Sequence, residues 1–451
     1  MGEISAPACP PAHARYSRPP DPSGRDTGRA RTGVDGQVPN RITTVSQEIK
    51  KASFVFVFLC VVLDMLALGI MVPVLPKLIV QFEGGDHARA AQVTGIFGFA
   101  WALMQFLASP VLGSLSDRFG RRPVLLLSSL GLGLDYVLMA LAPSLSWLFL
   151  GRVISGVTAA TFATASAYIA DISPPEQRAA RFGMLGAAFG IGFIVGPAVG
   201  GVLGNAGLRL PFWVAAACSL LNTAYGFFVL PESLASEKRR PFQWKVANPL
   251  GAFQFFLGHA GGGLGRLVLG AFFYYVAHES LPSMFVLYTD FKFHWSEKTV
   301  GLVLGAVGVS SMLVSAVLTG KAVKRWGEAA TLVIGLLFGI AGFTCYAYAP
   351  TSTFFLMGVP LVGLWGLCGP AQQALMSSQV DATQQGQLQG SLSSLRGIAG
   401  MIGPLLFTQS FAYATEHRGW PAGLPYYLSA ALLAASLLLS LPALKRQAGQ
   451  E

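Results

Sequence analysis

Twelve apolar blocks, each about twenty residues long, constrain this chain more than any other feature of its sequence. As a helix, a block of this length crosses the ~30 Å of hydrocarbon in a bilayer. Because a backbone inside lipid must satisfy its own hydrogen bonds, helix is the expected state of every block. The blocks are residues 53–75, 93–116, 123–142, 146–170, 182–204, 211–230, 267–289, 299–319, 330–349, 354–376, 388–410 and 424–442.

Composition and charge agree with a membrane protein rather than a soluble one. Hydrophobic residues make up 53% of the chain and charged residues only 12%, whereas a soluble domain carries roughly 25% charged residues. The net charge of +10 would suit nucleic acid, but its distribution indicates membrane topology instead. Lys and Arg are concentrated before the first block and in the even-numbered loops, so these parts and both termini are expected to be cytoplasmic. No nucleic-acid partner is expected.

Polar stretches divide the chain into five parts. The first, residues 1–50, is rich in Pro, Gly, Arg and Ser and holds too little apolar surface to fold alone, which predicts a disordered cytoplasmic tail. A second polar stretch falls after six blocks and before six more, which is the place expected for a linker between halves. The predicted parts are the tail 1–50, a six-helix half 51–230, a cytoplasmic linker 231–264, a six-helix half 265–443 and a cytoplasmic tail 444–451.

The two halves repeat short motifs at one constant offset. The loop sequence that starts at Gly113 is followed 207 residues later by a similar one that starts at Gly320. A Gly-Pro pair at Gly196 returns as Gly403 and Pro404, also 207 residues later. Two features at one offset predict an internal duplication, which is common in secondary transporters.

Seven of the blocks contain no charged residue, and each of the other five contains one. These five residues are Asp64, Asp135, Arg152, Glu279 and Arg396. Charges at membrane depth are costly, so such residues are candidates for proton or substrate handling by default. A structural role is the alternative, either as a neutral hydrogen-bonded carboxyl or as a static pair. We expect Arg152 to pair with a carboxylate or with backbone carbonyls. We also hypothesise a pair between Glu279 and Arg396, with His278 beside it as a titratable group.

Two further motifs suggest conformational roles. The loop after the second block has glycines that permit a sharp turn and charges that suit a cytoplasmic latch, although simple anchoring on the cytoplasmic side is the alternative. The fifth block has glycines spaced for close helix packing and a proline that permits a kink. The latch residues are Gly113, Asp117, Arg118, Gly120, Arg121 and Arg122, and the fifth-block residues are Gly192, Gly196, Pro197, Gly200 and Gly201.

The ten residues 113–122, which contain the latch residues, resemble the signature loop of the major facilitator superfamily, and in particular that of its drug/proton antiporter branch. Over residues 53–442 the likeness extends to the tetracycline efflux pumps of that branch. It implies an all-α membrane protein with the major facilitator fold, twelve transmembrane helices in two six-helix halves, and both a proton-coupling and an antiporter role for the motifs above. The segments that carry the likeness include Leu63-Asp64, Pro73-Val-Leu-Pro76, Gln105-Phe106, Gly133-Leu-Asp135-Tyr136, Gly151-Arg152, Tyr168-Ile-Ala-Asp171, Gln387-Leu-Gln-Gly390 and Gly403-Pro404.

The resemblance also assigns roles and shows two departures. In the pumps, the residues that match Asp64 and Asp135 handle substrate or protons, Arg152 matches a proton-coupling arginine, and Gln105 is a candidate for substrate contact. The pumps carry a histidine where this chain has Ser311 and an aspartate where it has Gly339. His278 is the residue expected to replace the missing histidine.

These observations predict a proton-coupled exporter of small amphiphilic organic compounds, working as a monomer in a bacterial inner membrane. The expected partners are the small-molecule substrate, protons and the lipid bilayer. No nucleotide loop, nucleophile–base pair or metal-ligand spacing occurs in the sequence, so no enzyme activity, cofactor or metal is expected. An importer of the same fold and a transport-inactive membrane scaffold or sensor remain as alternatives.

Overall fold

The computed structural model describes residues 41–159, 161–242, 262–381, 384–417 and 419–448. Within these ranges the chain is almost entirely helical and contains no strand, so the predicted all-α class is confirmed. Residues 1–40 of the predicted tail, residues 243–261 of the predicted linker and residues 449–451 lie outside the description. The first helix begins at Arg41, inside the segment predicted as tail, and the last continues to Ala448.

Eight helices form the first half, and a short 3-10 turn at Ser236–Lys238 follows them. They are α1 (Arg41–Met71), α2 (Leu75–Phe82), α3 (His87–Phe119), α4 (Arg121–Leu141), α5 (Leu145–Thr158), α6 (Thr161–Ile172), α7 (Pro175–Ala206) and α8 (Leu210–Val229).

Eight more helices form the second half, in which a π-helical turn at Val314–Leu318 joins the third to the fourth. They are α9 (Gly263–His278), α10 (Ser280–Phe293), α11 (Glu297–Leu313), α12 (Thr319–Tyr348), α13 (Ser352–Trp365), α14 (Cys368–Ser377), α15 (Gln385–Glu416) and α16 (Leu424–Ala448).

Interruptions fall in the first, fourth, seventh and tenth predicted spans, each of which consists of two consecutive helices. The pairs are α1 with α2, α5 with α6, α9 with α10 and α13 with α14. Broken spans are a feature of transporters, where the freed backbone groups lie next to a cavity. The regular recurrence, at every third span, extends the internal repeat that the sequence motifs indicate.

Nine helical segments of the described residues are long and apolar enough to cross a membrane. One of them has 52 residues and covers two predicted spans, because it turns at Gly327, where φ is +78°. Two predicted spans are not among the nine, the seventh, which is split at Glu279, and the eleventh, α15. The chain is therefore a multi-pass helical membrane protein, whereas the exact number of twelve spans stays a prediction.

Gly120 and Gly327 lie at equivalent places in the two halves, 207 residues apart. Both have positive φ, +106° and +78°, a conformation that side chains with a Cβ rarely adopt. Gly120 ends α3 and begins α4, while Gly327 bends α12. The shared backbone geometry at the predicted offset supports the duplication inferred from the sequence motifs.

Aromatic side chains fill the core of the second half. The rings of Tyr346 and Phe355 stack at 4.1 Å, and Tyr426 lies across Tyr288 at 5.1 Å. By contrast, large apolar side chains such as Phe228 (83% exposed) and Leu221 (68% exposed) stand on the outside. An exposed apolar surface of this kind fits contact with lipid rather than water.

Glycine-rich seams join the halves along α3–α15 and α7–α11. A Cβ built on Gly98 of α3 would lie 2.8 Å from Pro404 Cβ of α15. In the other seam, a Cβ on Gly201 of α7 or Gly301 of α11 would lie 2.9 Å from the other residue's Cα. Helices come this close only where one of them lacks a side chain, so the seams need these glycines.

The bundle has two ends. We call them the Lys77 end, where α2 meets the α10–α11 turn, and the Gly120 end, where α3 meets α4. Toward the Lys77 end the glycines of α7 touch α11. Toward the Gly120 end a Cβ on Gly183, Gly186 or Gly190 of α7 would meet no described atom within 4 Å. The halves are therefore in contact at the Lys77 end, and space opens beside α7 at the Gly120 end.

Candidate transport site

Asp64 lies in α1 and is 2% exposed, as its depth in the first block predicts. Two neighbours from other helices hydrogen-bond its carboxylate. Asn222 of α8 donates its side-chain amide to Oδ1 at 3.1 Å, and Ser129 of α4 donates its hydroxyl to Oδ2 at 3.4 Å. These contacts tie three helices of the first half together around one buried acid.

Asp135 of α4 and Arg152 of α5 form the ion pair that the sequence anticipates for Arg152. Arg152 Nη2 lies 3.9 Å from Asp135 Oδ2, and Asp135 is completely buried. Neither carboxylate oxygen of Asp135 accepts a hydrogen bond from a described residue, and Arg152 Nη2 lies against the sulfur of Met139 at 3.3 Å. The pair is long and poorly satisfied, which makes it sensitive to any change of protonation nearby.

His278 and Glu279 stand at the break in the seventh span, between α9 and α10. The ring of His278 lies 5.5 Å from that of Trp365 in α13. The side chain of Glu279 packs on Gly403 of α15, where a Cβ would overlap it. Two titratable residues, His278 and Glu279, therefore lie at the break of the seventh span, where it packs against Gly403 of the eleventh span.

Arg396 of α15 does not pair with Glu279, so our hypothesis of an ion pair between them is wrong for this structure. Instead its guanidinium carbon lies 4.7 Å from the ring centre of Tyr275, and Nη2 donates to Tyr275 Oη at 3.3 Å. The reason is axial distance. Glu279 packs at Gly403, seven residues and about 10 Å along α15 from Arg396, whereas Tyr275 lies one helical turn earlier and level with it.

A cavity of about 260 Å³ lies between α9, α14 and α15. Its lining includes Tyr274 and Tyr275 of α9 together with Arg396 of α15. Glutamine side chains of α14, Gln372 and Gln373, complete the polar part of the wall. Sequence reasoning did not single out these glutamines, because nothing in the apolar tenth block marks which residues face inward.

The latch residues form a network at the Gly120 end that lies within the first half. Arg121 pairs with Asp117 at 2.6 Å and with Asp171 at 3.2 Å. Arg122 donates to the backbone oxygen of Phe227 at 2.6 Å, while Arg118 stacks over Phe119. Gly113 has open space around its Cα.

Glu232 completes this network and is a residue that sequence reasoning missed. Its carboxylate accepts the backbone N–H groups of Arg121 (2.9 Å) and Arg122 (3.2 Å) at the first turn of α4. A carboxylate at a helix N-terminus satisfies free N–H groups and complements the helix dipole. The signal was present, since an acidic residue directly after a span and before a basic stretch is available for capping.

The fifth-span glycines pack α7 against its neighbours on two sides. Gly192, Gly196 and Gly200 face α1, and a Cβ on Gly196 would lie 2.6 Å from Gly69 Cα. Gly201 and the backbone oxygen of Pro197 face Gly301 of α11. The first contact lies within one half and the second crosses between halves.

Ion pairs across the Lys77 end link the two halves, and sequence reasoning missed them. Lys77 Nζ lies 3.1 Å from Asp290 Oδ1 and 3.3 Å from Glu297 Oε1, and it donates to the backbone oxygen of Trp295. His87 Nε2 lies 3.1 Å from Asp290 Oδ2. Lys77 and His87 belong to the first half and their partners to the second, so this cluster holds that end closed.

Three remaining sequence positions are less informative. Gln105 is half-buried in α3, next to Phe106, whose ring packs at Gly397 of α15. Ser311 is half-buried in α11. At Gly339 a Cβ would lie 2.6 Å from Trp365 Cδ1, so the tryptophan occupies the space that an aspartate would need.

Comparisons with known proteins agree with this geometry. A family model described as Major Facilitator Superfamily matches residues 57–404, with a second match over 267–450. The chain is 40% identical over 389 residues to the class C tetracycline resistance protein of Escherichia coli, covering 86% of this chain and 95% of that protein. It is 33% identical over 397 residues to the class H protein of Pasteurella multocida, covering 86% and 95%.

A solved structure gives the same answer for the fold. The crystal structure of the human organic anion transporter MFSD10 aligns with a TM-score of 0.63 at 23% identity, covering 87% of this chain and 99% of that one. At this identity the likeness concerns the fold alone. The predicted resemblance to the tetracycline efflux branch is confirmed by the curated relatives.

Proposed function

Because this chain belongs to the major facilitator superfamily, a family of membrane transporters for small molecules, we propose that it is a proton-coupled antiporter exporting small amphiphilic organic compounds. We further propose that it works as a monomer in a bacterial inner membrane, with halves at 51–230 and 265–443 and both termini in the cytoplasm. The basic residues in the tail and at the Gly120 end support that orientation.

The observation that carries the proposal is the Asp135–Arg152 pair. A buried carboxylate whose oxygens accept no hydrogen bond from described residues, with its cation 3.9 Å away, is costly to keep charged. Binding a proton removes that cost and releases Arg152 from its partner. A proton from outside can thereby change the contacts between α4 and α5, which is the kind of event that couples proton entry to a conformational change.

The two ends of the bundle support export. In this conformation ion pairs close the Lys77 end, which in the proposed orientation faces outward. The Gly120 end, facing the cytoplasm, leaves space beside α7. Substrate would therefore enter from the cytoplasm. Opening the Lys77 end requires breaking the ion pairs of Lys77, and proton binding in the first half would favour return to the conformation described here.

The relatives named as tetracycline resistance proteins support tetracyclines as the first substrates to test. Ser311 and Gly339 replace two groups tied to proton coupling in the pumps that this chain resembles. We propose that His278 and Glu279, at the break between α9 and α10, contribute the second-half proton group instead.

The test is uptake into inverted membrane vesicles from a pump-deficient bacterial strain that expresses this chain. In such vesicles export is measured as uptake, driven by a pH gradient that is acidic inside the vesicle. Tetracycline, a fluoroquinolone, chloramphenicol and a cationic dye would each be assayed. Asp64→Asn, Asp135→Asn and a protonophore should each abolish uptake. Glu237→Gln, at an exposed residue outside the spans, serves as the matched control and should leave uptake unchanged.

Each alternative has its own outcome in this assay. Uptake in right-side-out vesicles only would favour an importer of the same fold. No gradient-driven movement of any compound, with the protein present in the membrane, would favour a scaffold or sensor. Uptake that persists in Asp64→Asn, Asp135→Asn and protonophore would contradict proton coupling through these carboxylates.

A further inference from the structure

The cavity between α9, α14 and α15 has a strongly asymmetric chemistry. Arg396 is the one charged residue among those that line it, and the described part of the chain places no acidic group in its wall. The remaining wall consists of two tyrosines, two glutamines, Met376, and Gly369 and Pro370 at the start of α14. A cavity with a single cation and no counter-charge selects for ligands with a negative group.

Arg396 has no carboxylate partner within 4 Å among the described residues. Its contacts are the face of Tyr275, at 4.7 Å, and the Tyr275 hydroxyl, at 3.3 Å. These contacts engage one face and one nitrogen of the guanidinium, and in the described structure its other N–H groups make no hydrogen bond, while the residue lines the cavity. Since a guanidinium in a membrane span is stabilised best by a bidentate anion, the free edge is suited to a carboxylate.

Gln372 supplies a second, independent sign that the cavity takes a ligand. Its side chain is 2% exposed, and its Nε2 has no hydrogen-bond partner in the described structure. A buried donor without a partner costs about 1–3 kcal/mol, which a ligand oxygen would recover. Arg396 and Gln372 face the same cavity from different helices, α15 and α14, so one ligand can reach both.

Aromatic rings form the rest of the wall. Tyr274 and Tyr275 meet edge to face at 5.6 Å, and Tyr274 continues into Trp365 at 5.1 Å. Rings in this arrangement offer faces and edges for stacking with a planar ligand. The volume of about 260 Å³ lies just below the usual range for ligand pockets, which limits the fitting part to one or two fused rings.

We propose that this cavity is a binding site for aromatic carboxylates, with Arg396 and Gln372 holding the carboxylate and Tyr274 and Tyr275 stacking on the ring. The proposal gives a substrate class to the exporter proposed above and rests on that function for its meaning in transport. Binding itself needs no transport, so the two can fail separately.

The test is equilibrium binding to the purified full chain in lipid nanodiscs, measured by calorimetry. The probes are 2-naphthoate, which is an anion, and 2-naphthamide, which has the same ring and nearly the same shape without the charge. We expect 2-naphthoate to bind at least tenfold more tightly than 2-naphthamide. Equal binding of the two probes would overturn the proposal, as would no binding of 2-naphthoate.

Variants assign the binding to this cavity. Arg396→Gln should weaken 2-naphthoate binding about tenfold or more, which corresponds to about 1.4 kcal/mol, while leaving 2-naphthamide unchanged. Arg396→Lys keeps the positive charge but cannot form the bidentate contact of a guanidinium, so it should retain part of the affinity for 2-naphthoate. Gln372→Leu should weaken both probes. Arg266→Gln, at an exposed arginine of α9 that does not line the cavity, is the matched control and should bind both probes as the native protein does.

The outcomes separate the two proposals. Arg396-dependent binding of 2-naphthoate without export of any compound would keep the site and remove the exporter function. Export with 2-naphthoate binding that Arg396→Gln does not weaken would keep the exporter and overturn the site. Because Arg396→Gln is itself checked for a single monodisperse species and should still bind 2-naphthamide, loss of 2-naphthoate binding cannot be mistaken for loss of folding.

Discussion

Lys77 and Asp290 form an ion pair of 3.1 Å that joins the first half of the chain to the second. Glu297, 3.3 Å from the same Lys77 nitrogen, strengthens the link, and both acids are about one-fifth exposed. These ion pairs therefore stabilise the contact between the halves at the Lys77 end, and removing Lys77 should change how often that end opens.

We predict that Lys77→Ala will shift the protein toward conformations open at the Lys77 end. Removing hydrogen bonds to a charged group costs about 1.5–3 kcal/mol, enough for a tenfold or larger change in population. Spin labels at Ala206 of α7 and Lys298 of α11, in a background without native cysteines, would report the change as a longer distance. Lys324→Ala, an exposed lysine at the Gly120 end, is the control, and a native distance distribution in Lys77→Ala would refute the prediction.

A second prediction concerns the pair of Asp135 and Arg152. Arg152→Gln leaves Asp135 buried without its cation, and such uncompensated charges cost about 3–5 kcal/mol unless they are neutralised. The double variant Asp135→Asn/Arg152→Gln removes both charges and should therefore unfold at a higher temperature than Arg152→Gln alone. Transport should be lost in both. If the loss of stability in the double variant equals the sum of the losses in the two single variants, the two residues do not act as a pair.

The glycines of α7 give a matched comparison within one helix. A Cβ at Gly196 would lie 2.6 Å from Gly69 Cα, whereas a Cβ at Gly190 meets no described atom within 4 Å. Gly196→Ala should destabilise the protein by about 1–3 kcal/mol because backbone must move. Gly190→Ala should stabilise it by up to about 1 kcal/mol through helix propensity. Thermal unfolding in detergent would measure both, and equal effects would contradict the close packing of α1 and α7.

Glu232 should act as the cap of α4. Glu232→Ala removes the acceptor of two backbone N–H groups, at Arg121 and Arg122, and should cost about 1 kcal/mol of stability. We expect faster hydrogen exchange at the first turn of α4, measured by mass spectrometry, with little change elsewhere. Glu237→Ala, at an exposed acid five residues later in the chain, should leave the exchange of α4 as it is.

The sequence predicts the fold well because the length of its apolar blocks follows directly from the thickness of a bilayer. Apolar blocks of membrane length dictate helices, and the repeated motifs at Gly113 and Gly320 indicate two related halves. Charges deep in those blocks could also be picked out, since only Asp64, Asp135, Arg152, Glu279 and Arg396 break the apolar pattern. The burial of Asp64 and Asp135 follows from that depth.

Partner choice is less accessible to sequence reasoning. Arg396 meets Tyr275 rather than Glu279 because the axial register of α15 against α9 decides it, and register is a property of packing. Lys77, Asp290 and Glu297 look like ordinary loop charges until the two halves are brought together. Gln372 is similar, since one apolar block cannot reveal which of its few polar residues faces a cavity.

The seam between Gly201 and Gly301 bears on how this protein can be engineered. It consists of backbone against backbone, with no side chain that could be trimmed or enlarged to compensate a change on the opposite helix. Libraries that seek a new substrate range should therefore leave α7 and α11 untouched. They can place their diversity at Gln373, a half-buried residue whose side chain lines the cavity between α9, α14 and α15, away from this seam.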